Sequence, residues 1–300
     1  MRTIEYPVDA AFDGKKLYSF LKGHCKLSSK LIRSLKRADR GLCVNGVHAR
    51  TIDLLRTGDT VTICLPDDGT PAKPGQTLPD LIYEDDDLLI VNKPALMPIH
   101  ESHNHQGDTL QNCVALYLQQ QGKSGAFRAV GRLDKGTSGL VVCALNSHAA
   151  ARLSGKVEKT YYAIATAPFA GEGTIDAPIW RPDPMKTLRA VDERGDRAVT
   201  HWKALASDGA LTFLEIRLET GRTHQIRVHF AHLGAPLLGD TMYGTPDERI
   251  PHQALHCGAL TLTHPVTGKV LHCEAPLPPE MVAVCQTLNG FRQQTKPNHD

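Results

Sequence analysis

The sequence predicts an α+β chain in two parts. A small N-terminal α/β block precedes a larger block built on a mainly antiparallel, mixed β-sheet flanked by helices and loops. Three observations predict it. Strand-like apolar runs outnumber amphipathic helical ones. Many of those strands are joined by short turns and do not alternate with helices. A stretch rich in Pro, Gly and Asp, with prolines at 66, 71, 74 and 79, divides the chain. Domains are therefore drawn at residues 1–75 and 76–300, matching the two expected from 300 residues at roughly 150 per domain.

In the first block, Leu17, Phe20 and Leu21 fall at helical spacing within Lys16–Gly23. Ser28 or Ser29 is a good N-cap for Lys30–Arg37, where Leu31, Ile32 and Leu35 form an apolar stripe. Lys30, Arg33, Lys36 and Arg37 fall largely opposite that stripe. Asn45-Gly46 breaks the run Gly41–Val47 and signals a hairpin, and Arg56–Cys64 reads as a turn and closing strand. The block is expected to hold two short helices followed by a small sheet.

The second block opens with strands at Leu81–Glu84 and Asp87–Pro94. Asp108-Thr-Leu-Gln111 has a capping-box pattern and opens a helix. Gly139–Leu145 is a buried strand, with Ser147 capping the helix after it. Strands are expected around Thr160–Thr166, Ala198–Ala206 and Leu211–Glu219, and a helix over Thr223–Leu233. Ala259–Thr263 and Lys269–Glu274 flank a hairpin loop, and Pro279–Gly290 reads as a last helix.

Composition narrows the function classes. A hydrophobic fraction of 41% and a charged fraction of 22% are ordinary for a globular chain and argue against disorder. No apolar segment follows Met1 and no run approaches the length of a membrane span, so a cytoplasmic protein without a membrane partner is expected. The eight cysteines lie no closer than 12 residues apart and read as small buried hydrophobes. P-loop, dinucleotide fingerprint and metal-ligand spacing are all missing from the sequence, so neither metal nor cofactor is expected.

Three segments could carry chemistry. Gly131-Arg-Leu-Asp-Lys-Gly-Thr-Ser-Gly139 places Asp134 between Arg132 and Lys135 among small residues. Neighbouring cations favour an ionised carboxylate even when it is partly desolvated, as a nucleophile or base requires. An aspartate capping a turn would look the same. Glu219-Thr-Gly-Arg-Thr-His-Gln-Ile-Arg-Val-His229 crowds Arg222, His224, Arg227 and His229. This is either an anion-handling cluster or a solvated basic face, and helical spacing puts His224 and Arg227 on one side. In Glu158–Ala165, Tyr161 and Tyr162 point to opposite faces of a strand, so one can pack in the core while the other offers its ring to a nucleobase.

Together with Asn92-Lys-Pro94 and Gly234-Ala-Pro-Leu-Leu-Gly-Asp-Thr-Met-Tyr-Gly244, these segments resemble the RluA-type pseudouridine synthases. The combination of R-L-D-x-x-T-S-G, T-G-R-T-H-Q-I-R-V-H and G-x-P-x-x-G-D is highly specific, and the resemblance runs from about Asp80 to Pro278. It implies Asp134 as the catalytic aspartate and Arg132 as the loop arginine that holds RNA with its target base out. It implies Tyr161 as the aromatic packed on that base and Arg227 as the partner of the carboxylate. Thr137 and Arg222 are placed with them as substrate-binding residues. The family usually has His where this chain has Gly131. The first block is similar to the small S-four-like RNA-binding domain through Ser28–Arg33, Val44-Asn-Gly46 and the Gly58-Asp59 turn. That similarity makes Lys30, Arg33, Lys36 and Arg37 its RNA-binding residues.

The reaction implied breaks the uridine N1–C1′ bond, turns the base and joins C5 to C1′. Substrate and product are isomers, so no cofactor is needed. Structured RNA is the expected partner, most often large-subunit ribosomal RNA with transfer RNA as the alternative, and no obligatory protein partner is evident. Rival readings fare worse. His224, His229 and His232 are spaced five and three apart, unlike a zincin pair. Ser138 lacks a G-x-S-x-G setting. A glycosidase needs two placed carboxylates, and Asp134 has no acidic neighbour in sequence. An RNA-binding protein without activity should have lost Asp134, Tyr161 or Arg227, and all three are present.

The net charge of +2 averages two unlike parts. Residues 15–60 hold eleven Lys and Arg against three Asp, a balance of +8, which leaves −6 for the remainder. Attraction to phosphates is expected to concentrate at the N-terminal block.

Overall fold

The computed structural model describes residues 2–66, 72–123 and 127–292. The N-terminal block holds β1 (Arg2–Pro7), α1 (Leu17–Gly23), α2 (Ser29–Leu35), β2 (Leu42–Val44), β3 (Val47–His48) and β4 (Thr60–Leu65). Its sheet runs β1-β4-β2-β3, antiparallel throughout. The Ser28 hydroxyl caps α2 by accepting from the Leu31 amide at 3.1 Å. Asn45 and Gly46 both take positive φ, 51° and 78°, as a two-residue hairpin between β2 and β3 requires. Leu17, Phe20 and Leu21 of α1 and Ile32 and Leu35 of α2 pack on Val61 and Ile63 of β4, giving the block its own core.

Strand β1 is absent from the sequence reading, which begins the block at its helices. Ile4 is its only fully buried residue, so the apolar alternation that betrays a strand is too weak to read. Part of the expected linker, residues 67–71, lies outside the described residues. Residues 73–75 are held, because the Lys73 carbonyl accepts from Asn112 Nδ2 at 2.8 Å and the Gly75 amide donates to the Asn112 carbonyl at 2.9 Å.

The larger block continues with β5 (Asp80–Glu84), β6 (Leu88–Lys93), α3 (Leu110–Gln120), β7 (Arg128–Val130), β8 (Ser138–Ala144), α4 (Ser147–Leu153), β9 (Glu158–Ala165) and β10 (Glu172–Asp176). A short ribbon of β11 (Ile179–Trp180) and β12 (Ala190–Val191) follows. Then come β13 (Val199–Ser207), β14 (Thr212–Leu218), α5 (Gln225–His232), β15 (Leu255–Thr263), β16 (Val270–Glu274) and α6 (Pro279–Cys285). Ten strands make one sheet in the order β10-β13-β14-β9-β15-β8-β6-β5, with β16 beside β15 and β7 beside β8. Among the described residues only β15 and β8 pair in parallel, so the expected α+β class with a mainly antiparallel sheet is the one observed.

Every residue of β8 is buried, which is why Gly139–Leu145 reads as one apolar run. Two helix caps fall one residue from the expected positions. Thr109, not Asp108, caps α3 in a reciprocal box with Asn112, and Asn146, not Ser147, caps α4. In each case the observed cap side chain sits in extended backbone facing the helix amides. Seven of the eight cysteines are buried free thiols and Cys64 is half-buried, in keeping with their reading as small hydrophobes.

The two cores meet through a charged latch. Arg2 donates from Nε and Nη2 to the two oxygens of Asp87 at 3.1 and 2.8 Å, and Asn146 Nδ2 donates to Asp87 Oδ1 at 2.8 Å. Val266, in the hairpin between β15 and β16, packs against the N-terminal core.

Candidate active site

The centre of the large sheet gathers the three segments singled out in the sequence. Asp134 lies on the loop between β7 and β8, its side chain 23% exposed. Gly131 turns the chain out of β7 with φ of 80°, a conformation that a histidine at this position would adopt only under strain. The loop is pinned from below. The Lys93 ammonium, fully buried, donates to the carbonyls of Pro94 and Met97 at 2.9 Å and of Lys135 at 3.2 Å. Burial pulls its pKa down to about 7, against the opposing pull of the Asp134 charge. Thr137 is buried, its amide donating to the Asp134 carbonyl at 3.1 Å and its hydroxyl accepting from Gln253 at 3.1 Å. Thr137 thus anchors the loop in this structure.

Across from the loop, α5 supplies Arg227. Its Nη1 donates to Asp134 Oδ2 at 3.1 Å, while Nε and Nη2 engage both oxygens of the buried Asp240 at 2.7 and 2.8 Å. Burial works against the guanidinium charge, but Asp240 first and Asp134 second outweigh it and raise the Arg227 pKa. A bidentate pair fixes a guanidinium in plane as well as in position, so Asp240 aims Arg227 at Asp134. Oδ1 of Asp134 accepts no hydrogen bond from any described residue and is the free end of the carboxylate.

His224 approaches the same carboxylate, with Nε2 3.9 Å from Oδ2. It starts α5 with φ of 58° and has Nδ1 2.8 Å from the Tyr243 hydroxyl. That hydroxyl already accepts from the Arg189 amide at 3.0 Å, which leaves its own proton for Nδ1 and puts the imidazole proton on Nε2. Burial, chiefly, lowers the His224 pKa and favours the neutral ring. The Tyr243 ring also lies under Arg227, 5.0 Å from the guanidinium carbon.

The tyrosine pair of β9 points to opposite sides of the sheet, and each ring packs on an apolar cluster. Tyr162 stacks on Phe213 at 5.7 Å, and Tyr161 enters the main core beside the site. Burial, then Cys257 and Asp134, raise the Tyr161 pKa well above its ordinary value, so the phenol keeps its proton.

The basic cluster 222–229 does not converge as a unit. His224 and Arg227 reach Asp134, but both nitrogens of His229 are occupied, by the Thr200 hydroxyl and the Ala177 carbonyl, each at 2.9 Å. Arg222 points away, donating to the Arg197 carbonyl at 3.1 Å and lying 3.4 Å from Asp196. Arg132 is exposed on the loop beside Asp134. Lys30, Arg33, Lys36 and Arg37 are all exposed on and just beyond α2, far along the chain from these groups. Asp240 and Tyr243 sit in Gly234–Gly244 and Lys93 in Asn92-Lys-Pro94, so all three fall inside motifs visible in the sequence. Sequence reasoning misses their roles because only the fold reveals what they touch.

Among the described residues, Asp85, Asp87 and His264 are the one trio close enough to share a metal ion. Their donors are committed elsewhere. Asp87 holds Arg2 and Asn146, and Asp85 accepts from the Tyr83 hydroxyl and the amides of Asp87 and Leu88. His264 Nδ1 accepts from the Val266 and Thr267 amides, so Nε2 carries the proton and faces Asp85 Oδ2 at 2.8 Å. The trio is part of the latch between the two cores.

Residues 87–232 match the family model for RNA pseudouridylate synthase. The chain is 37% identical over 295 residues to the RNA pseudouridine synthase YhcT of Bacillus subtilis, covering 95% of this chain and 97% of that one. It is 34% identical over 275 residues to ribosomal large subunit pseudouridine synthase D of Pseudomonas aeruginosa, covering 85% of this chain and 86% of that one. Among solved structures, human RNA pseudouridylate synthase domain containing 1 superposes with a TM-score of 0.59 at 24% identity, over 75% of this chain and 94% of that one.

Proposed function

The chain belongs to the RluA-type RNA pseudouridine synthases and is an isomerase, and on that premise we propose that Asp134 is the carboxylate with which it converts uridine to pseudouridine in large-subunit ribosomal RNA. One observation carries the assignment of Asp134. It is a half-buried carboxylate with one oxygen fixed by Arg227 and the other free, at the junction of all three chemical motifs. The relatives named for the large ribosomal subunit support the substrate class.

The chemistry follows from these placements. The target base must leave its stack to reach Asp134, at a cost of about a few kcal/mol, and Arg132, exposed on the same loop, fills the gap it leaves. Oδ1, the oxygen that Arg227 leaves unbonded, engages the nucleoside at C1′, at the ring or at a ribose proton. The N1–C1′ bond breaks, the uracil turns against the flat face of Tyr161, and C5 joins C1′; the C5 hydrogen then leaves to water as a proton and N1 takes up another, which keeps substrate and product isomeric. Arg227, held by Asp240, keeps the carboxylate aimed throughout, so little reorganisation is needed as charge moves. We further infer that residues 1–75 form a separate S-four-like unit that grips RNA through Lys30, Arg33, Lys36 and Arg37. Its own core and sheet support that reading.

Release of tritium from 5-tritiated uridine in large-subunit ribosomal RNA tests the proposal. Wild type is expected to release it without added nucleotide. Asp134→Asn is expected to lose at least roughly 10³-fold in rate, the scale seen when a member of a catalytic constellation is removed, with RNA affinity retained. Release that persists in that variant removes Asp134 from its role. Carbodiimide mapping of pseudouridines in cells with and without the gene is expected to show the missing mark in large-subunit ribosomal RNA. A mark lost from transfer RNA instead would overturn the substrate assignment.

A further inference from the structure

A second basic feature opens beside the active site. The ribbon of β11 and β12 and the turn before α5 enclose a cleft of about 390 Å³, within the range of ligand-binding sites. Trp180, Arg181, Arg189, Arg194, Asp196 and Arg222 line it. Two of these arginines have carboxylate partners, Arg194 with Asp192 at 2.6 Å and Arg222 with Asp196 at 3.4 Å. The other two do not among the described residues. Arg181 donates only to the Lys186 carbonyl at 2.9 Å, and the Arg189 guanidinium only to the carbonyls of Thr187 and Leu188 at 2.6 and 3.0 Å. Four arginines against Asp192 and Asp196 leave the cleft two positive charges in excess. Trp180 is 37% exposed, with Arg194 over its ring at 5.6 Å.

The cleft is joined to the catalytic carboxylate by three contacts. The Arg189 amide bonds the Tyr243 hydroxyl at 3.0 Å, that hydroxyl meets His224 Nδ1 at 2.8 Å, and His224 Nε2 lies 3.9 Å from Asp134. A polynucleotide with one base at Asp134 must leave the site with a phosphate on each side. We propose that this cleft is the subsite for a nucleotide adjoining the target uridine, its phosphate held by Arg181 and Arg189 and its base lying against Trp180. The proposal rests on the reading of Asp134 as the centre at which the target uridine sits. Uncompensated guanidinium groups are suited to a phosphodiester, and an exposed indole offers a stacking face to any base.

An unmodified transcript of large-subunit ribosomal RNA carrying 5-tritiated uridine serves as probe, with Kd, KM and kcat read over a range of salt. Arg181→Ala with Arg189→Ala is expected to raise Kd and KM tenfold or more, with a fall in kcat of less than about threefold. The slope of log Kd against log salt should become shallower by roughly 0.7 for each phosphate that is no longer neutralised. Trp180→Ala is expected to raise Kd about tenfold with the salt slope unchanged, since stacking releases no counterions. Arg217→Ala with Arg249→Ala removes the same charge outside the cleft and should leave Kd within twofold. An unchanged Kd and slope in the cleft variant, or an equal weakening in the outside variant, overturns the proposal. Turnover that survives Asp134→Asn would instead strike the reading beneath it, so the two failures are separable.

Discussion

Lys93 shows how much of this site is decided by residues that reach it through backbone carbonyls. Its ammonium is fully buried and ties the carbonyls of Pro94 and Met97 to that of Lys135 in the Asp134 loop, and burial brings its pKa from 10.5 to about 7. The sign of the linkage is fixed by that depression. Above pH 10.5 both folded and unfolded chains carry a neutral amine and the group costs nothing. Between about 7 and 10.5 the unfolded chain binds the proton more readily, so stability rises with pH. Below about pH 7 the penalty is present in full. Raising the pH from 7 to 9 should therefore add up to about 3 kcal/mol, or roughly 5 °C in thermal midpoint, relative to Lys93→Met. Parallel midpoints for the two proteins across that range would show that the ammonium titrates normally. Arg227 is governed by the same logic with opposite sign, because Asp240 supplies the compensating charge that Lys93 lacks.

The junction of β8 with β15 is the element on which the loop of Asp134 stands. The two strands run parallel there, through His256 opposite Ser138 and Cys257 opposite Gly139. Gly139 has φ of 106°, and a methyl group on it would collide with the carbonyl oxygen of Cys257 and lie 2.6 Å from its nitrogen. Gly139→Ala is expected to destabilise the protein by about 4 kcal/mol or more. Gly14→Ala, at φ of 66° with open space around it, should cost only about 1–2 kcal/mol of backbone strain. Equal urea midpoints for the two variants would show that the strands can part without cost. Sequence patterning locates β6, β8, β9, β13, β14 and the helices because each has a run of buried or periodic apolar residues. It is silent on β7, β10, β11 and β12, which are two to five residues long and have few buried residues. It also starts β15 four residues late, since His256, Cys257 and Gly258 give no strand signal although all are buried. The same limit applies to the site. Asp134, Tyr161 and Arg227 stand out as motif residues, while Asp240 and Lys93 act through partners far away in sequence.

At the scale of the whole molecule, the charge asymmetry and the latch between the cores bear on one another. The eleven Lys and Arg of residues 15–60 all face solvent, on α2 and on the segments before and after it, and the rest of the chain is mildly acidic. Deleting the block is a poor test of its part in RNA binding, because Arg2 goes with it. Asp87 would then lose its guanidinium partner and Val266 the apolar core it packs on, so the larger block is altered as well. Loss of activity after truncation would thus reflect damage to the catalytic core as readily as loss of grip. Replacing Lys30, Arg33, Lys36 and Arg37 by Gln in the full chain leaves the latch intact, since all four side chains are exposed. That variant is expected to unfold within about 1 kcal/mol of wild type, as surface substitutions do. Its plot of log Kd against log salt should be shallower by roughly 0.7–0.9 for each phosphate these side chains neutralise, and the turnover of RNA already bound should be preserved. An unchanged salt slope would locate the phosphate contacts wholly in the catalytic block, among arginines such as those of the cleft, and leave the N-terminal charge without a part in binding.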